Sequence, residues 1–172
     1  AIICPLHGPV LKENLSRYLE KYDIWSSYRA ESKGTFIACA SIHGHTKAAM
    51  LRLKTMLEEQ GEKVAFADLT RCDTAEAVED AFRYDKAIFA ACTYDAGLFP
   101  AMEDFLNHLK AKNYQNRKVA LVENGSWAPV AGKIMRAALE GMKNIEIGAT
   151  FTIPSALKEE SALAAIAEDF LK

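Results

Sequence analysis

From Gly34 onward the chain alternates short, continuously apolar runs with longer segments of helical period, and no other feature restricts its fold as much. Strands covered on both faces read as unbroken apolar runs, and neighbouring parallel strands need a crossover, usually a helix. Five runs qualify: Thr35–Ala40, Lys63–Ala67, Ala87–Ala91, Val119–Glu123 and Glu146–Thr150. Between the first two, Thr46 to Gln60 carries Ala49, Met50, Leu53, Met56 and Leu57 at helical spacing and stops at Gly61, where a left-handed residue is expected. Thr74 is expected to cap a helix over Ala75–Tyr84. Pro100 suits the first turn of a helix reaching about Lys112, Pro129 that of one ending near Gly141, and about Glu159 to Leu171 closes the chain. The predicted fold class is α/β, a doubly wound five-stranded parallel sheet with helices on both faces.

The first thirty-odd residues follow another pattern. Ala1 to Cys4 resembles a strand end, Pro5-Leu6-His7-Gly8-Pro9 a tight turn, and Leu11–Tyr22 an amphipathic helix striped by Leu11, Leu15, Tyr18, Leu19 and Tyr22. Ser26 to Gly34 has charges and no periodicity, which divides the chain into a leader, 1–33, and a sheet domain, 34–172. The 172 residues, half of them hydrophobic, have room for one ordinary domain. With 21 Lys+Arg against 23 Asp+Glu there is no overall charge to drive binding to nucleic acid or an anionic membrane. No apolar run approaches the roughly 20 residues of a membrane span. Four cysteines without a CxxC pair suit a reducing, cytoplasmic compartment, and Cys39 and Cys92 read as small core hydrophobes. The start on Ala1, without signal-peptide features, suggests a piece of a longer chain.

In open α/β sheets ligands bind beyond the carboxyl ends of the strands, so the loops after the first, third and fourth runs are the candidate site. The first, Ser41-Ile42-His43-Gly44-His45-Thr46, leads from strand to helix through hydroxyls and a glycine. Backbone N–H groups at such a helix start suit a phosphate, with hydroxyls from Ser41 and Thr46, close approach at Gly44, and imidazole N–H from His43 and His45. The alternative from this loop alone is that Ser41 and Thr46 cap the helix and the histidines are plain exposed loop residues. Neither GxxxxGK[ST] nor GxGxxG follows any strand, which favours a monophosphate over a triphosphate or dinucleotide. The second loop, Thr93-Tyr94-Asp95-Ala96-Gly97, offers an aromatic plane and a hydroxyl, although taken alone it reads better as an ordinary strand-to-helix loop whose Tyr94 and Phe99 pack the sheet edge; the third, Asn124-Gly125-Ser126-Trp127, offers another plane beside small polar groups.

A phosphate cradle with two aromatic planes is what a flavin mononucleotide (FMN) site requires. From Gly34 on the chain resembles a flavodoxin-like domain, whose phosphate loop has the form [TS]-x-T-G-x-T, here Ser41 to Thr46. More narrowly it resembles the C-terminal domain of flavodiiron proteins, in the Thr93 to Pro100 stretch and in Gly125-Ser126-Trp127. The leader, Cys4-Pro5-Leu6-His7-Gly8-Pro9 with its helix ending near Trp25, looks like the end of that family's metallo-β-lactamase-like domain. The resemblance implies strand order 2-1-3-4-5 and FMN held by Ser41, His43, Gly44, His45, Thr46, Thr93, Tyr94, Asp95, Ala96, Gly97, Asn124, Gly125, Ser126 and Trp127. His7 corresponds to the family's last iron ligand, a metal ligand only where the upstream domain is present. Departures from the family pattern are the two histidines of the phosphate loop, the missing glycine run after Trp127, and an aspartate, Asp95, that would lower the potential of a nearby ring. The function implied is electron transfer without a catalytic side chain. In a full-length homodimeric parent it would feed a diiron site reducing dioxygen or nitric oxide, with rubredoxin or a reductase as donor. A free-standing FMN-dependent reductase of quinones and a flavin-free docking or dimerisation domain are the alternatives.

Overall fold

The computed structural model describes residues 1–125, 128–153 and 160–171. The order of elements is α1 (Leu15–Ser26), β1 (Ser32–Ala40), α2 (His45–Glu59), β2 (Val64–Asp68), α3 (Thr74–Arg83), β3 (Tyr84–Tyr94), β4 (Gly97–Leu98), α4 (Pro100–Ala111), β5 (Arg117–Asn124), α5 (Ala131–Glu140), β6 (Ile145–Ile153) and α6 (Glu160–Leu171). The sheet runs β2-β1-β3-β5-β6, all parallel, with the two-residue β4 hooked antiparallel onto β3. The five long strands take the expected order; β4 is an addition to it.

Alternation along β1 shows why its run is unbroken. Phe36, Ala38 and Ala40 face a core closed by α3, α4 and α5, while Ile37 and Cys39 face a second core closed by α2 and α6. Both faces exclude water, so the side chains from Phe36 to Ala40 are all apolar. The alanines of β3, Ala87, Ala90 and Ala91, let helices approach closely at the centre, and the bulk comes from aromatic pairs such as Phe89 edge-on to Phe105, centroids 5.4 Å apart. Among the described residues no helix is long and apolar enough to cross a membrane.

Helix ends follow local chemistry. At Gly61, φ +84, α2 ends in a Schellman turn, Glu62 N–H donating to the Leu57 carbonyl and Gly61 N–H to that of Glu58. The same double bond closes α4 around Asn113 and α1 around Tyr28, a bulky residue held at φ 57. The cap of α3 is Asp73, whose carboxylate accepts from Ala75 N–H at 2.8 Å, and not Thr74, which is the first helical residue. Pro129 lies just outside α5 instead of in its first turn, which begins at Ala131.

The leader differs most from its pattern. Its helix starts four residues later than the apolar stripe suggested and reaches Ser26, burying none of its residues. Ala1 to Cys4 contributes one isolated bridge, Ile3 to Leu11. What fastens this segment is polar. Trp25 and Lys21 both donate to the Glu31 carboxylate, and Glu31 N–H donates to the Arg83 carbonyl at 2.9 Å. Burial raises the pKa of Glu31, but the bonds from Lys21 and Trp25 outweigh it and hold the carboxyl below its usual range. Ser32 already pairs with Tyr84, so the stretch expected as linker supplies the start of β1.

Candidate functional site at the carboxyl end of the sheet

β1, β3 and β5 are adjacent and end together, and the residues following them enclose a cavity of about 250 Å³. Its walls are Ser41, Ile42, His43, His45 and Thr46 after β1, Cys92 and Thr93 in β3, and Asn124 and Gly125 at the end of β5. The first predicted loop, Thr93 at the start of the second, and Asn124 and Gly125 at the start of the third therefore meet. Among the described residues no carboxylate lines the space, and the polar side-chain groups are hydroxyls, imidazoles, a thiol and an amide.

The decisive local feature is how α2 begins. Its N-cap is Gly44, at φ 85, so no side chain accepts from the first-turn N–H groups. The helical ladder starts with Ala48 N–H to the Gly44 carbonyl at 2.8 Å, and the helix offers no acceptor to the N–H groups of His45, Thr46 and Lys47. Ser41 folds the loop by accepting from Gly44 N–H at 3.1 Å. A Cβ on Gly44 would meet nothing within 4 Å, so the space above this helix start is open. Thr46 is buried, whereas His43 and His45 are exposed. Behind the loop, Lys47 pairs with Asp68 at the end of β2, at 2.9 Å. Burial raises Asp68, but bonds from Thr70 and Lys47 win and lower its pKa.

The second loop is tighter than a loop. Tyr94 pairs with Gly97, and Asp95 and Ala96 both take positive φ, 47 and 54, forming a two-residue hairpin turn. Tyr94 is exposed and packs on Phe99 with centroids 5.7 Å apart. Tyr94, Asp95, Ala96 and Gly97 do not line the cavity; they stand beyond Thr93, further along the same strand and turn. Cys92, expected in the core, is only half-buried on the cavity wall, and burial pushes its thiol up, which keeps it protonated at neutral pH. Ser126 and Trp127 lie outside the described residues.

Two side chains have roles that sequence patterns did not indicate. Thr93 Oγ1 accepts from the N–H groups of Val130 and Ala131, at 3.0 and 3.3 Å. Glu123, buried, accepts from Gly132 N–H at 2.7 Å and from the Thr152 hydroxyl at 2.8 Å. A carboxylate closing an apolar strand run was the available signal for Glu123; none existed for Thr93.

No known family model matches the sequence. A curated relative, the uncharacterized protein MJ0732 of Methanocaldococcus jannaschii, is 22% identical over 108 residues, which is 63% of this chain and 27% of that protein. Among solved structures, rubredoxin:oxygen oxidoreductase from Desulfovibrio gigas superposes with a TM-score of 0.86 at 16% identity over 98% of this chain. Oxidised flavodoxin 1 from Bacillus cereus gives 0.70 at 19% identity over 81% of this chain and 97% of its own. The chain has the flavodoxin-like fold. A flavo di-iron protein variant from Thermotoga maritima, TM-score 0.85 at 21% identity, covers 99% of this chain, so the likeness includes the leader as well as the flavodoxin-like sheet. The chain spans 43% of the length of these two longer structures.

Proposed function

We propose that the chain is an FMN-binding electron-transfer module. The observation that carries this reading is the uncapped start of α2 at Gly44, beside a cavity that is rich in donors and, among the described residues, free of carboxylates. A phosphate there satisfies first-turn N–H groups and the positive end of the helix dipole together. The donor set fits: Ser41 and Thr46 hydroxyls and the imidazoles of His43 and His45 line the cavity in which the anion would sit. The cavity is smaller than the roughly 300–1,000 Å³ that encloses a whole drug-sized ligand. It therefore suits the phosphate end of FMN, with the ring further out towards Tyr94, Asp95, Ala96 and Gly97, which follow Thr93 along the chain. FMN supplies the electron transfer when bound, and the side chains bind, orient and shield it. No nucleophile or general acid is required.

Residues 1–33 then belong to the end of an upstream metallo-β-lactamase-like domain and its linker, and 34–172 to the FMN domain. Coverage of 98–99% of this chain by the longer structures, against 81% by flavodoxin, supports this division. The chain's own residues do not fit a diiron centre: His7 is exposed, and the described residues contain no group of three or more His, Cys, Asp or Glu able to hold a metal. Delivery of electrons to a diiron site, with dioxygen or nitric oxide as acceptor, belongs to a full-length parent. In such a cytoplasmic, homodimeric parent a rubredoxin or a reductase would be the donor, in line with the name of the Desulfovibrio neighbour.

The test is a visible spectrum after incubation with excess FMN and gel filtration, for the wild type and for Gly44→Asp and Trp127→Ala. Flavin bands that co-elute with the wild type and are lost in the variants support the reading. A wild type that excludes FMN refutes it and leaves a flavin-free docking domain.

A further inference from the structure

Three consecutive N–H groups at the start of α5 are satisfied by side chains from two other strands. Val130, the N-cap residue, has no capping bond from its own side chain. In its place Thr93, from β3, accepts from Val130 and Ala131, and Glu123, from the end of β5, accepts from Gly132. The arrangement contrasts with α2, whose start carries no side-chain cap at all. It is also sterically close. A Cβ on Gly132 would lie 2.6 Å from Thr150 Cγ2 and 3.0 Å from the Glu123 carboxyl, and one on Gly125 would lie 3.1 Å from Pro129 Cβ and 3.4 Å from Thr93 Oγ1. Gly125 thus sits close to Thr93 of β3, and Gly132, in the first turn of α5, close to Thr150 of β6.

We propose that Thr93 and Glu123 are positioning residues: they fasten the start of α5, at Val130, Ala131 and Gly132, to β3 and β5 and so hold it beside the cavity that Thr93 lines. A hydroxyl has one donor and two acceptor lone pairs. With two N–H groups directed at Thr93 Oγ1, its proton is the remaining hydrogen-bonding function on the cavity wall, so the same residue anchors α5 and presents a donor to a ligand acceptor. Glu123 adds a negative charge at the positive end of α5 and ties it to β6 through Thr152. The consequence for FMN rests on the functional reading above; the anchoring itself does not.

The experiment pairs isosteric with conservative variants: Thr93→Val against Thr93→Ser, and Glu123→Met against Glu123→Gln, since serine keeps the acceptor and glutamine keeps one carbonyl for Gly132. Amide hydrogen exchange is read at Val130, Ala131 and Gly132, with Ile37 and Leu53 reporting on the rest of the fold, and FMN affinity is read by quenching of flavin fluorescence. Thr93→Val is expected to speed exchange at Val130 and Ala131 at least tenfold and Glu123→Met that at Gly132. Ile37 and Leu53 stay protected, FMN affinity falls at least tenfold in both, and the conservative variants restore both readouts. Unchanged exchange at these amides overturns the anchoring. Faster exchange with unchanged FMN affinity overturns the positioning role. A wild type that binds no FMN refutes the functional reading, while the exchange results still decide the anchoring.

Discussion

Gly132 shows how much of this site is decided by single atoms. Its hydrogen faces Thr150 Cγ2 and the Glu123 carboxyl, and a methyl group would come within 2.6 Å of the first. Gly132→Ala ought to raise helix propensity in isolation. Here the clash and the disturbed Glu123 bond dominate, and the variant is expected to lose about 1–3 kcal/mol of stability, the usual cost of overpacking, in urea unfolding. Nothing in the sequence marks Gly132 as different from an ordinary helical glycine. The turn into α2 was legible as one unit because its residues are local: Ser41, Gly44 and Thr46 fall within six consecutive positions. Thr93 and Glu123 were not legible as anchors, because their partners lie 37 or 38 and 9 or 29 residues further along the chain.

At the scale of elements, the strands and helices of the sheet domain follow from apolar runs and capping residues, and the structure moves their ends by a few positions. The hairpin after β3 escaped notice, because Asp95 and Ala96 take left-handed conformations that a sequence usually announces with Asn or Gly. So did the device that holds the leader. Arg117 is 3% exposed at the start of β5, and its guanidinium donates to the carbonyls of Tyr28, Phe82, Tyr84, Gln115 and Asn116 at 2.6–3.0 Å. It joins the end of α1 to α3, β3 and β5 at the pole opposite the cavity. Burial lowers its pKa, as desolvation does to any cation. Arg117→Met leaves several carbonyls without a donor, each a loss of about 1–3 kcal/mol where it stays buried. The variant is expected to lose on the order of 3 kcal/mol in urea unfolding, and trypsin should cut it faster at Arg17 and Lys21. An unchanged digestion pattern would show that α1 is held by something else.

Across the whole molecule, two apolar cores on either side of one sheet provide the stability, and the polar groups gather at its two poles. Asp68 belongs to the cavity pole and has a folded pKa below its ordinary value of 3.8. Folding therefore favours its ionised form, and this contribution is complete above the ordinary carboxylate range and disappears as pH falls through the folded value. Asp68→Asn is accordingly expected to lower the urea midpoint more at pH 7 than at acid pH, the difference growing as pH falls below the ordinary carboxylate range; an equal loss throughout would remove the ionic explanation. The central claim is that the uncapped start of α2 receives the phosphate of FMN. It is tested most directly by backbone amide NMR of the wild type titrated with FMN and, separately, with riboflavin, which lacks the phosphate. The account predicts large shifts at Gly44, His45, Thr46 and Lys47 with FMN and small ones with riboflavin. Amides in this turn that ignore FMN, or respond equally to both, would contradict it.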